Sequence, residues 1–211
     1  MSRLDTKTRI LNAAEQLFAK DGFHNTSMRA ITSEADVNLA AANYHFGSKE
    51  SLLQAVFERR LLPLNLVREE LLRQVLDRAE QAGKAPAVID LMRAFVEPTI
   101  AFRKENPDNR AFIALIGRSM VDTDSTVRDC FIHLIEPLFQ LLFNGLRQAL
   151  PDLPSTKLHT RLLFAVGAMA HAMNMPDRSL LMLNDKMETT SVDDTSDELI
   201  LFICAGLEAP C

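Results

Sequence analysis

Turn signals are what this sequence most lacks. Only 7 of its 211 residues are glycine. No Asn-Gly or Asp-Gly lies between two alternating apolar runs, so β-hairpin signals are nearly absent. Cysteine is nearly as scarce. Cys130, Cys204 and Cys211 are odd in number and form no CxxC pair, which argues against a disulfide scaffold and for a reduced, cytoplasmic chain. The longest apolar stretch, Leu162 to Met175, is shorter than the roughly 20 residues a membrane span needs, and His171 and Asn174 interrupt it. It reads as a buried helix, and no membrane partner is expected. Met1 to Arg9 carries charges but no apolar core of a signal peptide.

Catalytic signatures are missing as well. There is no Gly-rich phosphate loop, nucleophile elbow or HExxH, so no catalytic residue, metal site or cofactor is expected. An enzyme is the main rival class, and a helical protein-binding adaptor the second. Cys130, His133 and Glu136 fall on one helix, but that spacing is common by chance and no second cluster accompanies it. Nothing near Cys130 in sequence would lower its pKa for redox sensing.

What is present is helix. The chain is 47% hydrophobic and rich in Leu, Ala, Glu, Arg and Met. An all-α fold of about nine helices follows, with a boundary near Pro63 dividing residues 1–60 from 61–211. The net charge of -5 is unevenly spread. Of 23 Lys and Arg, 8 lie in residues 1–60 with 7 of the 28 acids, so the remainder holds 15 bases against 21 acids. A near-neutral head on an acidic body fits a chain that meets a polyanion at one end only.

The first helix reads Asp5 to Lys20, with Ile10, Leu11, Ala14, Leu17 and Phe18 on one face, Asp5 as N-cap and Gly22 as stop. Ser27 caps a second helix, with Met28, Ile31 and Ala35 inward. Asn38 caps a short third from Leu39 to His45, and Ser48 a long fourth. Pro63 is expected to break or kink that fourth helix near Leu61–Leu62, with a new helix over 64–81. Further helices read Pro86–Lys104, Asp108–Met120, Ser125–Leu150, Ser155–Asn174 and Thr195–Gly206, with kinks at Pro98 and Pro137. Leu183–Ser196 reads as a loop.

Two short helices around a tight break, braced before and after, make helix-turn-helix geometry. Arg29 and Lys49 each follow a helix cap, where a cation opposes the macrodipole. Two explanations stay open: a phosphate docks at each helix start, or Glu34 and Glu50 offset the charges locally. In the short helix, Ala42 with Val37 and Phe46 faces inward, leaving Leu39, Ala40, Ala41, Asn43, Tyr44 and His45 outside or at the flank. Alanine can meet a thymine methyl, Asn can pair with adenine, and Tyr and His can reach phosphates. The plainer alternative is a poorly packed helix with an exposed Tyr.

The run from Thr26 to Val37 (TSMRAITSEADV), then Asn43 to Leu52 (NYHFGSKESL), with Ile10 to Phe18 and Gly22-Phe23 before them, resembles the DNA-binding region of the TetR family. The resemblance covers about residues 5–57, roughly a quarter of the chain. It implies a helix-turn-helix head, a homodimer on a pseudo-palindromic double-stranded DNA operator, and a C-terminal helical domain that dimerises and binds a small-molecule effector. Carried over by position, the contacts to DNA fall on Ser27, Arg29, Leu39, Ala40, Ala41, Asn43, Tyr44, His45 and Lys49. Asn43 stands where many members have an aromatic residue.

The body resembles the family in helix count and character. Its segment from Asp152 is similar to a subgroup that includes sensors of fatty-acid metabolites, which implies an apolar or acyl-type effector. Candidate pocket residues are Phe95, Phe102, Phe112, Arg118, Phe131, Phe139, Phe164 and His171, against the alternative that the Phe residues are plain core. Ala165, Ala168, Ala172 and Phe202 are the candidates for a dimer face, since small residues let helices approach closely; an ordinary core helix is the alternative.

Overall fold

Local capping chemistry sets where the first helices begin. Asp5 Oδ1 accepts the Thr8 N–H at 2.8 Å and opens α1 (Thr6–Asp21). Gly22, at φ 83°, closes it by donating its N–H to the Phe18 carbonyl. Ser27 Oγ accepts from Ala30 at 3.1 Å and starts α2 (Met28–Glu34). Asn38 Oδ1 accepts from Ala41 at 2.8 Å and starts α3 (Leu39–Phe46). Ser48 Oγ accepts from Ser51 at 3.0 Å at the head of α4 (Lys49–Gln81). Each of these caps satisfies a backbone donor that the helix itself leaves orphaned. Beyond them lie α5 (Val88–Glu105), α6 (Ser125–Ala149), α7 (Ser155–Asn174) and α8 (Val192–Glu208).

The structure, a computed structural model, describes residues 5–105, 109, 112–113, 115–117, 125–174 and 192–210. Among these every regular element is helical, and 109, 112–113 and 115–117 are helical as well. The expected helix Asp108–Met120 and loop Leu183–Ser196 lie largely outside the described residues. Where the loop re-enters them, α8 has already begun at Val192, ahead of the expected Thr195. The expected break at Pro63 does not occur: α4 runs unbroken from Lys49 to Gln81 with Pro63 inside it. Proline removes one N–H and strains one turn. Pro63 is exposed, so that turn faces water. The flanking Leu61 and Leu64 are buried and hold the helix through it. α5 and α6 likewise continue through Pro98 and Pro137.

By compactness the chain divides into two units. One comprises Met1–Pro63 and Asn106–Ile135, the other Leu64–Glu105 and Glu136–Cys211. In the first, α1, α2 and α3 pack on one another around Ile10, Ala14, Phe18, Ile31, Leu52, Val56 and Phe57. Phe57 meets Phe112 edge-on at 5.3 Å between ring centroids. In the second, α5, α7 and α8 pack pairwise, with Leu91, Met92, Leu158, Leu162, Ile200 and Leu207 buried. Burying each such side chain contributes about 1.5–3 kcal/mol.

The first unit also buries a charge. Glu15 on α1 is 3% exposed and meets two arginines of α4. Arg60 Nη2 donates to Oε1 at 2.6 Å and its Nε to Oε2 at 3.0 Å, while Arg59 Nη2 also donates to Oε2. Arg59 reaches Asn12 Oδ1 at 2.7 Å, and Arg60 reaches Asn109 Oδ1 at 3.1 Å. Removing the shared carboxylate leaves two partly buried guanidinium groups without a counter-charge. Glu15→Ala is therefore expected to destabilise the protein by about 2–3 kcal/mol. A urea titration checks this: an unmoved midpoint would show that the cluster does not hold the fold.

Candidate nucleic-acid interface

Helix α3 is rooted by very little. Of its eight residues only Ala42 is buried, at 0% exposure; Ala41 and Phe46 are half-buried. Leu39, Ala40, Asn43, Tyr44 and His45 are exposed, Tyr44 at 86%. The Tyr44 and His45 rings meet edge-on at 5.3 Å, which gives the displayed aromatic a defined neighbour. A helix so poorly buried is positioned by its ends. Before it, Asp36 takes a left-handed conformation at φ 50° in the turn between α2 and α3. Arg9 of α1 grips that turn, donating to the Asp36 carbonyl and to its carboxylate at 3.0 Å. After α3, Gly47 turns the chain at φ 72°, a conformation glycine adopts without strain.

The two cations that follow helix caps differ. Arg29 is exposed and takes part in no ion pair among the described residues. It stands beside the start of α2, where Ser27 is also exposed and uses its Oγ as the cap. Lys49 is half-buried and engaged. Its Nζ donates to the Phe23 carbonyl at 3.0 Å and the Thr26 carbonyl at 3.1 Å, and sits 4.2 Å from the Phe23 ring centroid. Beside it, the backbone N–H of Glu50 and the Ser48 hydroxyl hold the Glu50 carboxyl below its ordinary value. A carboxylate therefore already sits at the α4 N-terminus, and the Lys49 ammonium closes the loop between α1 and α2. The carbonyls that hold Lys49 belong to neither of the two explanations left open for these cations. Arg29 keeps a free charge to offer an anion.

The sequence did not single out Arg9, Glu15, Arg59 or Arg60, whose contacts set this surface. Their partners are 27 to 49 residues away, so no local pattern betrays them.

The residues expected to line a pocket or a dimer face scatter once placed. Phe95 is buried beneath the Arg68 guanidinium, and Phe102, Phe131 and Phe139 are half-buried. Phe112 packs on Phe57 in the first unit's core, and Arg118 lies outside the described residues. Phe164 does not line an interior pocket: it is 72% exposed, and His171 is exposed too. Ala165, expected on a dimer face, is buried at 6% instead. Helical period explains both. Leu158, Leu162, Ala165 and Met173 share the inward stripe of α7, which leaves Leu163, Phe164, Gly167 and His171 outward. Ala168 and Ala172 lie half-buried at the margin, and Phe202 on α8 is 69% exposed. Cys130 is half-buried, and burial pushes its thiol up to about 11, so it carries no thiolate at neutral pH.

Comparison with known proteins matches these elements to two family models. One, described as "Bacterial regulatory proteins, tetR family", covers residues 10–56; the other, "Tetracyclin repressor-like, C-terminal domain", covers residues 93–206. The chain is 47% identical over 51 residues to the HTH-type transcriptional regulator UidR of Escherichia coli, a match covering 24% of this chain and 26% of that one. It thus spans about a quarter of the length of such curated relatives. Among solved structures, FadR of Bacillus subtilis in complex with stearoyl-CoA aligns with a TM-score of 0.66 at 15% identity, covering 94% of this chain and 98% of that one. A putative tetR family regulator from Shewanella sp. PV-4 aligns at 0.62 and 19% identity, covering 93% and 96%. At these identities the structures show a shared fold.

The Lys49 contacts carry a prediction. Lys49→Met keeps the stem but removes the charged donor from two carbonyls, which should cost about 1–2 kcal/mol of stability. Differential scanning calorimetry reads this as a lowered melting temperature; a melt identical to the unmodified protein's would mean the ammonium closes nothing.

Proposed function

The chain belongs to the TetR family of bacterial regulatory proteins, a family of DNA-binding transcriptional regulators and not of enzymes, and from that premise we propose that it is a cytoplasmic repressor, released from its operator by a small apolar effector. The observation that carries the DNA-binding half is α3, a helix with one buried residue and an exposed Asn43-Tyr44-His45 face. In this reading α3 enters the major groove. Leu39, Ala40, Ala41 and Asn43 meet base edges, while Ser27, Arg29, Tyr44 and His45 hold phosphates. Lys49 serves the interface from behind by fixing the loop that precedes Ser27. Residues 1–60 act as the DNA-binding head and 61–211 as the effector-binding and dimerising body.

A pseudo-palindromic operator requires two heads at fixed spacing, about 34–36 Å for one DNA turn. The outward faces of α7 and α8 support a homodimer. Leu163, Phe164, Leu201 and Phe202 are 50–72% exposed, an apolar patch that water disfavours. A methyl group built at Gly167 or Gly206 would meet nothing within 4 Å, so the chain's own packing does not require glycine there. Close approach of a second copy supplies a reason. An effector bound in the body then loosens DNA binding only as far as it prefers the non-binding arrangement. The stearoyl-CoA of the Bacillus subtilis FadR complex, a protein sharing this fold, supports an acyl-type ligand.

Gel-shift titration against the DNA upstream of the chain's own gene tests the reading. Retardation at low salt is expected, and its absence there and on pseudo-palindromic fragments would refute the repressor assignment. Arg29→Ala is expected to weaken binding to all sequences and to lower the salt slope by about 0.9, whereas Asn43→Ala shifts preference between operators. A slope unchanged in Arg29→Ala would remove it from the phosphate contacts. Phe164→Glu with Phe202→Glu is expected to give a folded monomer by analytical ultracentrifugation, with operator binding lost. A persistent dimer would place the interface elsewhere.

A further inference from the structure

Among the described residues two charged side chains are buried, Glu15 and Arg68. Glu15 is neutralised by two arginines. Arg68, 3% exposed on α4, has no carboxylate partner among the described residues. It sits in an apolar stripe, with Leu64 and Leu72 one turn to either side and Val75 beyond, all buried. Its Nε donates to the Phe95 carbonyl at 3.1 Å, its Nη1 to Asn65 Oδ1 at 3.2 Å, and its Nη2 to Thr99 Oγ1. The guanidinium carbon lies 4.7 Å from the Phe95 ring centroid. Thr99 donates its own hydroxyl hydrogen bond to the Phe95 carbonyl at 3.3 Å, so the cluster is ordered from α5. Every one of these acceptors is neutral. A guanidinium has five N–H donors, and among the described residues three acceptors engage three of them.

Burial lowers the pKa of Arg68 from its ordinary value to about 10, so the group remains a cation at neutral pH. A position selected for stability alone has a better occupant, since an apolar side chain of similar volume fills such a stripe without desolvating a charge. The 21 carboxylates of residues 61–211 give it no ion pair among the described residues. A charge kept dry, pre-oriented and uncompensated is suited to a counter-charge that arrives from outside. The planar fork matches a carboxylate, which accepts two parallel hydrogen bonds from it.

We propose that Arg68, positioned by Asn65, Thr99 and the Phe95 carbonyl, is the anion anchor of the effector site, and that the effector is a carboxylate on an apolar tail. The inference rests on the reading of residues 61–211 as an effector-binding body and narrows it to one chemical class.

The test compares a series of straight-chain carboxylates, butyrate to palmitate, with the matching primary alcohols, on the full-length protein and on Arg68→Met. Thermal melts report binding, and gel shifts report operator release. At least one carboxylate is expected to raise the melting temperature of the unmodified protein and to weaken operator binding about tenfold, while its alcohol does neither. Arg68→Met is expected to melt at or above the unmodified protein, to keep operator binding, and to ignore the acid. Arg68→Lys keeps a cation without the fork, and its response to the acid is expected to weaken; this comparison stands even where Arg68→Met does not fold. The proposal is overturned if alcohols act as well as acids, if no carboxylate acts, or if either variant responds like the unmodified protein. If no operator is bound at all, the regulator reading falls, while the melts still decide the anchor.

Discussion

One carboxylate, shut between two guanidinium groups, fixes the frame on which the exposed surface is built. Glu15 belongs to α1, and the arginines that hold it belong to α4, the helix that follows the display helix α3. With that closure made, the chain between α1 and α4 has little freedom left. Arg9 holds the turn before α3, and Lys49 holds the loop before α2. The short helices need no large apolar face of their own, because polar ties from the longer helices fix where they start and stop. Ion pairs at this depth add less to net stability than their geometry suggests, since desolvation offsets most of the attraction. Their contribution here is direction: a guanidinium fork admits few orientations, and two on one carboxylate admit fewer.

Disposition of charge matters more in this chain than its sum. The first 60 residues are nearly neutral by count, against an acidic remainder. Arg9, Lys49, Arg59 and Arg60, however, are engaged within the first unit, and Arg29 is left on the surface. The second unit applies the opposite economy. Its external acids are many, yet its one buried cation among the described residues is matched only by neutral acceptors.

What could be read from the sequence follows the range of the interactions. Asp5, Ser27, Asn38 and Ser48 were identifiable as caps because each bonds a backbone N–H only three residues on. The family likeness of residues 5–57 was readable for a related reason: closely spaced turns and caps leave a dense, ordered pattern. Pro63 misled because helix propensity counts the lost hydrogen bond and not the buried leucines on either side. Ala165 and Phe164 were exchanged because both are apolar, and hydropathy does not tell which face of α7 turns inward. The partners of Glu15, Lys49 and Arg68 were beyond reach, since each lies more than twenty residues away.

The slight rooting of α3 has an evolutionary corollary. Most side chains on that helix have no duty in folding, because Ala42 alone is fully buried and the caps and ties lie outside the helix. Substitutions at Leu39, Ala40, Asn43, Tyr44 and His45 therefore change the displayed surface while hardly touching stability. A lineage carrying this head can change that surface one residue at a time, without first accumulating the compensating changes that a well-packed helix would demand. The independence of scaffold and surface is one physical fact, seen from inside the fold and from outside it.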